Sequence, residues 1–315
     1  MIRSWIIAAL VLALLVVAIV ADLVPSYYVG LLTEAIIIAL FAMSLDLLVG
    51  FTGLDSLGHA AFFGMGAYVS GLMSLAGIEN VFLLLIAAGF AATLLGLVFG
   101  AIALRAVGPY FLIITMALGY LPWALAIRLR SITGGDDGLP GIFRPILAFE
   151  FRLDDTHDYF YFVVFIFVVC AGALAGIGNS AFGRSLRGIK DNPSRMEALG
   201  YRIWLHKYAG FVVASLFAGI AGALYGLYNG FVSPNDLSVY RSAEALIAVI
   251  LGGAGTLIGP GFGAVIILFL RFTVGAFTEY WGFVLGAIYI GVVLFAPRGV
   301  FALIRELGSK IRKQP

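Results

Sequence analysis

The chain has 315 residues, of which 62% are hydrophobic and only 11% are charged. Soluble domains carry about 25% charged residues, and the mean hydropathy of +1.08 excludes a water-soluble globule. The net charge of +2 comes from 19 basic and 17 acidic residues, which offers no continuous basic face to nucleic acid. The single cysteine, Cys170, excludes an intrachain disulfide and is predicted to be a small buried residue. The composition therefore predicts an integral membrane protein whose surroundings are the lipid bilayer.

Apolar runs along the chain predict transmembrane helices. Each run has at least 18 residues, enough to cross about 30 Å of hydrocarbon as a helix. A run at 23–45 is interrupted only by Glu34. The runs without any charged residue are 4–21, 56–78, 80–104, 106–127, 159–183, 208–235, 245–270 and 280–297. Because lipid cannot satisfy free backbone amides, we expect these runs to be helices.

The run 245–270 is ambiguous, because six glycines and Pro260 lie within LGGAGTLIGPGFGA at 251–264. It predicts either one kinked helix or two short helices. The charges favour two, since the basic tail after Pro297 then returns to the side of the N-terminus. The run 4–21 is too long for the core of a signal peptide and is interpreted as the first span. The expected fold is an all-α, polytopic transmembrane helix bundle in one domain, 1–315, with about ten membrane segments, some short or broken.

The distribution of charge predicts which loops lie on which side. The loop 131–158 is acidic and is expected outside the cytoplasm, whereas 183–206 is rich in arginine and lysine and is expected inside. Both termini are then cytoplasmic. Glycines at short spacing predict helices that pack closely, at Gly64 and Gly66, Gly96 and Gly100, and Gly219 and Gly222.

Motifs for enzymatic chemistry are missing from the sequence. None of the four lysines precedes serine or threonine, so a phosphate-binding GK[ST] loop is excluded. The histidines His59, His157 and His206 lack the spacing of a metal motif, and no GxSxG nucleophile motif occurs. We predict that the chain has no catalytic residues, no metal site and no cofactor of its own.

A short helix is predicted inside the cytoplasmic loop. Asn192 is a suitable N-cap, Pro193 a first helical residue and Gly200 a C-terminal stop. These signals delimit a helix of about two turns at 193–199. With Arg195 and Glu197 exposed, it has the form of an element that inserts into a groove on a cytoplasmic partner. The alternative is a positively charged loop that contains an incidental capped turn.

A few residues within the apolar runs are candidates for a transport pathway. Glu34 lies midway through its run, where a carboxylate faces either a water-filled pathway or a hydrogen-bonding partner. Tyr110 and Phe111 follow Pro109 and either line a pathway or belong to an interfacial aromatic belt. Asp46 and Glu244 are predicted nearer the interfaces, and His59 is predicted to pack between helices.

Four stretches resemble LivM-type permeases, the membrane subunits of branched-chain amino acid ABC importers. The longest is GRSLRGIKDNPSRMEALGYRIWLHKYAGFVVASLFAGIAGALYG at 183–226, and GFTGLDSLGHAAFFGMGAY at 50–68 and GGAGTLIGPGFGA at 252–264 agree with it. VGPYFLIITMALGY at 107–120 is similar to a fourth stretch of that family. Together they cover most of residues 40–300.

The resemblance implies a subunit of a larger importer in a bacterial or archaeal inner membrane. Its expected partners are a homologous, LivH-like second permease, two ATPases that bind ATP and Mg²⁺, and a substrate-binding protein. Glu197, Ala198 and Gly200 resemble the core of the permease loop that contacts the ATPases, which assigns coupling to Asn192, Pro193 and Arg195 beside them. Because urea importers are close relatives, a branched-chain substrate rests on analogy.

An ion-coupled secondary carrier is the alternative function. In that interpretation Glu34 and Asp46 hold ions or protons, and the helices are broken around 252–261. Such a carrier transports without ATPase partners.

Overall fold

The computed structural model describes residues 25–147 and 152–275, and beyond them only 282–284, 286–287 and 290–291. The predicted spans 4–21 and 280–297 and the basic tail therefore lie wholly or largely outside the described residues.

The described chain is almost entirely helical, which confirms the predicted all-α class. Two short strands, β1 (Leu139–Pro140) and β2 (Phe231–Val232), form an antiparallel pair. Single 3-10 turns occupy Gly135–Asp137 and Pro234–Leu237. The helices are α1 (Ser26–Thr52), α2 (Ala60–Leu75), α3 (Val81–Ala103), α4 (Pro109–Arg128), α5 (Arg130–Thr133), α6 (Thr156–Asn179), α7 (Ala181–Asp191), α8 (Pro193–Ala198), α9 (Ile203–Asn229), α10 (Val239–Gly252) and α11 (Ile258–Gly275).

Six of the described helices are long and apolar enough to cross a membrane, namely α1, α3, α4, α6, α9 and α11. The apolar α2 is shorter. The run 245–270 is divided between α10 and α11, which confirms the break into two helices, while the two membrane passes inferred from the charges stay a prediction. The break lies at Gly253 and Gly255, whose φ angles of 101° and 85° favour glycine, and at Leu257, with φ 62°. The number of about ten segments stays a prediction.

Two long helices form the centre of the bundle and run antiparallel. Both α1 and α9 have 27 residues. Gly30 near the start of α1 lies against Tyr228 at the end of α9, while Thr52 at the end of α1 lies against Gly210 near the start of α9. Each helix ends at a glycine in the left-handed conformation, Gly53 or Gly230, because an L-residue is disfavoured there.

Each long helix is followed by a segment without α-helix and then by a short helix. Residues 53–59 lead into α2, which has 16 residues, and residues 230–238 lead into α10, which has 14. Since α1 and α9 run in opposite directions, these two units form an inverted pair. Inverted repeats with interrupted helices are typical of transporters.

The beginnings of the two short helices meet inside the bundle. The N–H of Ala60 in α2 donates to Ser242 Oγ in α10 over 2.8 Å. His59, just before α2, lies 2.9 Å from Ser44 Oγ through its Nε2 atom. Ser44 is eight residues before the end of α1, or about 12 Å inward from it. Both non-helical segments therefore penetrate well into the bundle.

Glycines bring the central helices into backbone contact, as their spacing predicts. Gly66 of α2 lies against the backbone of Gly219 in α9, and Gly222 lies against the carbonyl of Phe63. A third contact joins Gly96 of α3 to Ser215. Any side chain at these positions would overlap its neighbour, so α2, α3 and α9 form a tightly packed unit.

The two large loops lie at opposite ends of the bundle. The loop after α4 reaches the end of α9 through the β1–β2 pair. The loop containing α7 and α8 lies at the beginning of α9. This arrangement agrees with the alternation of sides assumed for 131–158 and 183–206, whose absolute sides stay predictions.

Candidate functional site

The helix predicted at 193–199 is present as α8, Pro193–Ala198. Asn192 Oδ1 accepts the N–H of Arg195 over 3.0 Å and so caps its start. At its end the N–H of Gly200 donates to the carbonyl of Glu197 at 2.9 Å, and the N–H of Tyr201 donates to that of Met196 at 3.1 Å. These two bonds, with Gly200 at φ 86°, form a Schellman motif. The local sequence therefore defines this helix at both ends.

The surface of α8 is open to solvent. Arg195, Glu197 and Ala198 are exposed, together with Asn192, Pro193 and Gly200. Only Met196 is partly buried within α8, and it packs on Gly188 of α7. The helix is thus attached to the bundle through one side chain and through its flanking helices, while its remaining faces are available to a partner.

A cavity of about 980 Å³ lies beside α8 and is called the inner cavity, after the predicted cytoplasmic side of the loop 183–206. Pro193 and Glu197 contribute to its wall, as does Asp55 from the segment after α1. Burial raises the pKa of the Asp55 carboxyl above its ordinary value, and the charge of Lys190 acts against this rise. The remaining wall comes from 104–112 and from the beginning of α9.

A second cavity, of about 770 Å³, lies at the other end of α9 and is called the outer cavity, after the predicted side of the loop 131–158. Lys207 lines the inner cavity and Tyr225 lines the outer one, and 18 residues of helix between them span about 27 Å. The outer cavity combines aromatic, polar and charged side chains: Tyr120, Trp123, Tyr225, Asn229, Phe231, Ser233, Asn235, Asp236, Ser238, Tyr240, Arg241, Glu244 and Arg271.

Packed rings fill the core between the two cavities. Phe111 lines the inner cavity and contacts Phe211 at 6.3 Å between ring centroids. Phe63 contacts Tyr225 of the outer cavity at 5.3 Å. The contacts that join these ends pass through Phe62, His59 and Phe41. His59 is fully buried, which confirms its predicted packing role.

The three predicted pathway residues lie in different surroundings. Phe111 is 1% exposed and lines the inner cavity, whereas Tyr110 is 72% exposed on the surface of α4. Glu34 is half-buried, and the charges that act on it are those of Arg241, Arg271 and Glu244. The sequence therefore identified residues near both cavities, but the three residues do not form one site.

Asp46 is fully buried within the protein, so its carboxylate is stabilised by protein groups and not by solvent; its predicted position nearer an interface stays a prediction. Its two carboxylate oxygens accept the N–H groups of Gly255 at 2.7 Å and Leu257 at 2.9 Å. The carboxylate thereby holds the break before α11 against α1. Nearby, Lys190 Nζ donates to the carbonyls of Val49 and Gly50 at the end of α1.

Sequence reasoning also missed a charged cluster at the outer cavity. Arg241 contacts Asp236 at 3.7 Å and Glu244 at 3.6 Å. Its guanidinium lies 4.7 Å from the ring centroid of Tyr225. Asp236 and Arg241 fall between two apolar runs, which is typical of a solvated loop. The available signal was the clustering of three charges within nine residues, directly after a predicted span.

Two cavities at opposite ends of an inverted pair of interrupted helices define a polytopic membrane protein of the transporter class. The chain matches the family described as "Branched-chain amino acid transport system / permease component" over residues 27–293 and belongs to that family. This confirms the resemblance to LivM-type permeases. No solved structure matches the chain.

Named relatives agree with this family. The chain is 28% identical to the high-affinity branched-chain amino acid transport system permease protein LivM of Salmonella typhimurium, over 93% of this chain and 75% of the relative. It is 25% identical to the permease protein LivH of the same organism, over 83% and 90%. A shorter match, 29% identical over 42% and 40%, is to the autoinducer 2 import system permease protein LsrC of Yersinia pseudotuberculosis.

Proposed function

We propose that this chain is the permease subunit of an ATP-driven importer that carries branched-chain or related hydrophobic amino acids inward. It pairs with a homologous, LivH-like permease in the inner membrane of a bacterium or archaeon. Two cytoplasmic ATPases bind ATP and Mg²⁺, and a substrate-binding protein delivers the amino acid. The family and the LivM and LivH relatives support the substrate class and the second permease.

The exposed, doubly capped α8 is the observation that carries the coupling to ATPases. A partner that holds a helix in a groove can move it as a unit only if the helix is rigid and exposed. Helix α8 has defined ends and exposed faces. From α7, Lys190 reaches the end of α1, and Asp46 joins α1 to the beginning of α11. A displacement of α8 is therefore transmitted by direct contacts to the helices of the outer cavity. In this proposal both termini and 183–206 face the cytoplasm.

The secondary carrier receives no comparable support from the geometry. Both carboxylate oxygens of Asp46 accept backbone N–H groups, which gives this residue a structural role that requires no ion. Glu34 interacts electrostatically with Arg241, Arg271 and Glu244. Uptake by liposomes that contain the permeases with and without the ATPases separates the two functions. Uptake without ATPases would contradict the proposed function.

Replacing Gly200 with valine tests the role of α8. A β-branched residue in the left-handed conformation costs about 1–2 kcal/mol, and a helix as short as α8 has little stability of its own. We expect Gly200→Val to assemble normally but to lose stimulation of ATP hydrolysis by substrate, together with uptake. Both rates are measured in liposomes that contain the purified complex.

Gly141→Val is the matched control. Gly141 has a similar φ of 78°, and a Cβ at either glycine meets nothing within 4 Å. The backbone strain is therefore comparable, but Gly141 lies at the opposite end of the bundle. Equal transport by the two variants would contradict a coupling role for α8. Arg195→Glu leaves the caps intact and should weaken ATPase docking in a salt-dependent way.

A further inference from the structure

Three of the four charged side chains that line the outer cavity are deeply buried. The side chains of Asp236, Arg241 and Glu244 are 10%, 9% and 11% exposed. Arg241 contacts both carboxylates and lies over the ring of Tyr225. Within this buried cluster one guanidinium faces two carboxylates, and the second basic side chain of the cavity, Arg271, is exposed. Buried charges are costly unless they are paired, so two carboxylates that share one guanidinium favour a further cationic group beside them.

Glu244 has one oxygen that is available for such a group. Its Oε2 atom lies toward Arg241 and Tyr240 interacts with the same carboxylate, whereas the buried Oε1 atom accepts no hydrogen bond among the described residues. A buried acceptor without a partner costs about 1–3 kcal/mol. Glu244 lines the outer cavity and also a small adjoining cavity of about 20 Å³. The carboxylate therefore stands where a ligand in the outer cavity can reach it.

Arg271 provides positive charge beside Glu244. It lines the same two cavities and is itself exposed, on a helix whose other exposed residues include Phe262, Phe269 and Phe272. Arginine within a membrane helix faces a water-filled cavity or a partner rather than lipid. Beyond its contacts within the chain, Arg271 therefore presents a cation to the open edge of the cavity.

We propose that the outer cavity binds the zwitterionic head group of an aliphatic α-amino acid. Glu244 Oε1 accepts hydrogen bonds from the ammonium group, and Arg271 donates to the carboxylate. The rings of Tyr120 and Trp123, which contact each other at 5.7 Å, supply the surface for the apolar side chain. The inference rests on the proposed function and adds to it the residues that select both charges of the substrate.

The test uses the purified permease–ATPase complex without the binding protein. Saturation-transfer NMR measures the affinity for leucine and for two analogues, 3-methylbutylamine, which lacks the carboxylate, and 4-methylpentanoate, which lacks the ammonium group. Sites built to bind a polar group discriminate against analogues that lack it. The parent should prefer leucine to both analogues by about tenfold or more, as expected for a charged hydrogen bond.

Each variant should lose a different part of that preference. Glu244→Gln should bind 4-methylpentanoate nearly as well as leucine, and Arg271→Gln should do the same for 3-methylbutylamine. Arg130→Gln is the control, because its ion pair with Asp137 is exposed and lies outside the cavity. Since Arg271 is exposed, its variant is expected to fold even if Glu244→Gln disturbs the pairing of Arg241.

The outcomes separate this site from the proposed function. Unchanged preferences in both variants, or a parent complex that transports leucine without binding it in this assay, would overturn the site and leave the proposed function standing. ATPase-dependent uptake of a different substrate class, with no uptake of leucine, would overturn the proposed function. A shift of preference in both variants, absent from the control, supports the site.

Discussion

Removing the carboxylate of Asp46 is the sharpest test of how the interrupted helix is held in place. In Asp46→Ala the N–H groups of Gly255 and Leu257 lose their acceptors inside a fully buried environment. Each buried donor without a partner costs about 1–3 kcal/mol, or about 2–6 kcal/mol for the two. Asp46→Asn keeps one acceptor oxygen, so we expect about half of that loss.

The measurement is the temperature at which the purified complex loses its monodisperse peak in size-exclusion chromatography. The order of stability should be parent, Asp46→Asn and then Asp46→Ala, with leucine uptake falling in the same order. Asp55→Asn is the control, because the Asp55 carboxylate makes no hydrogen bond among those found in the described residues. If Asp46→Ala melts at the temperature of the parent, the carboxylate does not hold the break. If Asp46→Asn is stable but alters ion dependence, the carboxylate is an ion site instead.

Further predictions concern packing, the carboxylate of α1 and sidedness. Gly222→Ala should prevent assembly of the complex, since its Cβ would overlap a backbone carbonyl of α2, while Gly172→Ala should assemble because nothing lies within 4 Å of its Cβ. Glu34→Gln should assemble but transport more slowly, because its charge acts on the cluster at the outer cavity; uptake equal to that of the parent would show a packing role. Finally, single cysteines are placed at 137, 194 or 310 in a cysteine-free background, and intact cells are treated with an impermeant thiol reagent. Only the cysteine at 137 should be labelled. Labelling at 194 would contradict the proposed orientation.

Local signals in the sequence were sufficient for the long helices and for α8. Apolar runs place the spans because lipid requires an apolar surface and satisfied backbone amides. The caps of α8 act within a few residues, so Asn192 and Gly200 mark the two ends of the helix in the sequence. The glycine contacts were also predictable, since close spacing of small residues is typical of tightly packed helices.

Contacts between distant parts of the chain decided what the sequence left open. The apolar run 56–78 gives no sign that α2 begins only at Ala60. A hydrogen bond from Ala60 to Ser242 helps to fix this beginning, and it joins residues 182 positions apart. For the same reason the burial of Asp46 could not be predicted. Its partners are backbone N–H groups of residues more than 200 positions away, and backbone groups leave no trace in composition.

The lengths of the two short helices have a consequence for biosynthesis. With 16 and 14 residues, α2 and α10 extend only about 24 Å and about 21 Å, less than the roughly 30 Å of hydrocarbon. The segments that precede them would expose unpaired backbone groups to lipid. Neither helix can therefore leave the translocon as an independent span. Within the bundle α2 packs on α3 and α9, and α10 packs on α11 and α1, so stable insertion of each short helix depends on helices from other parts of the chain that shield its irregular backbone.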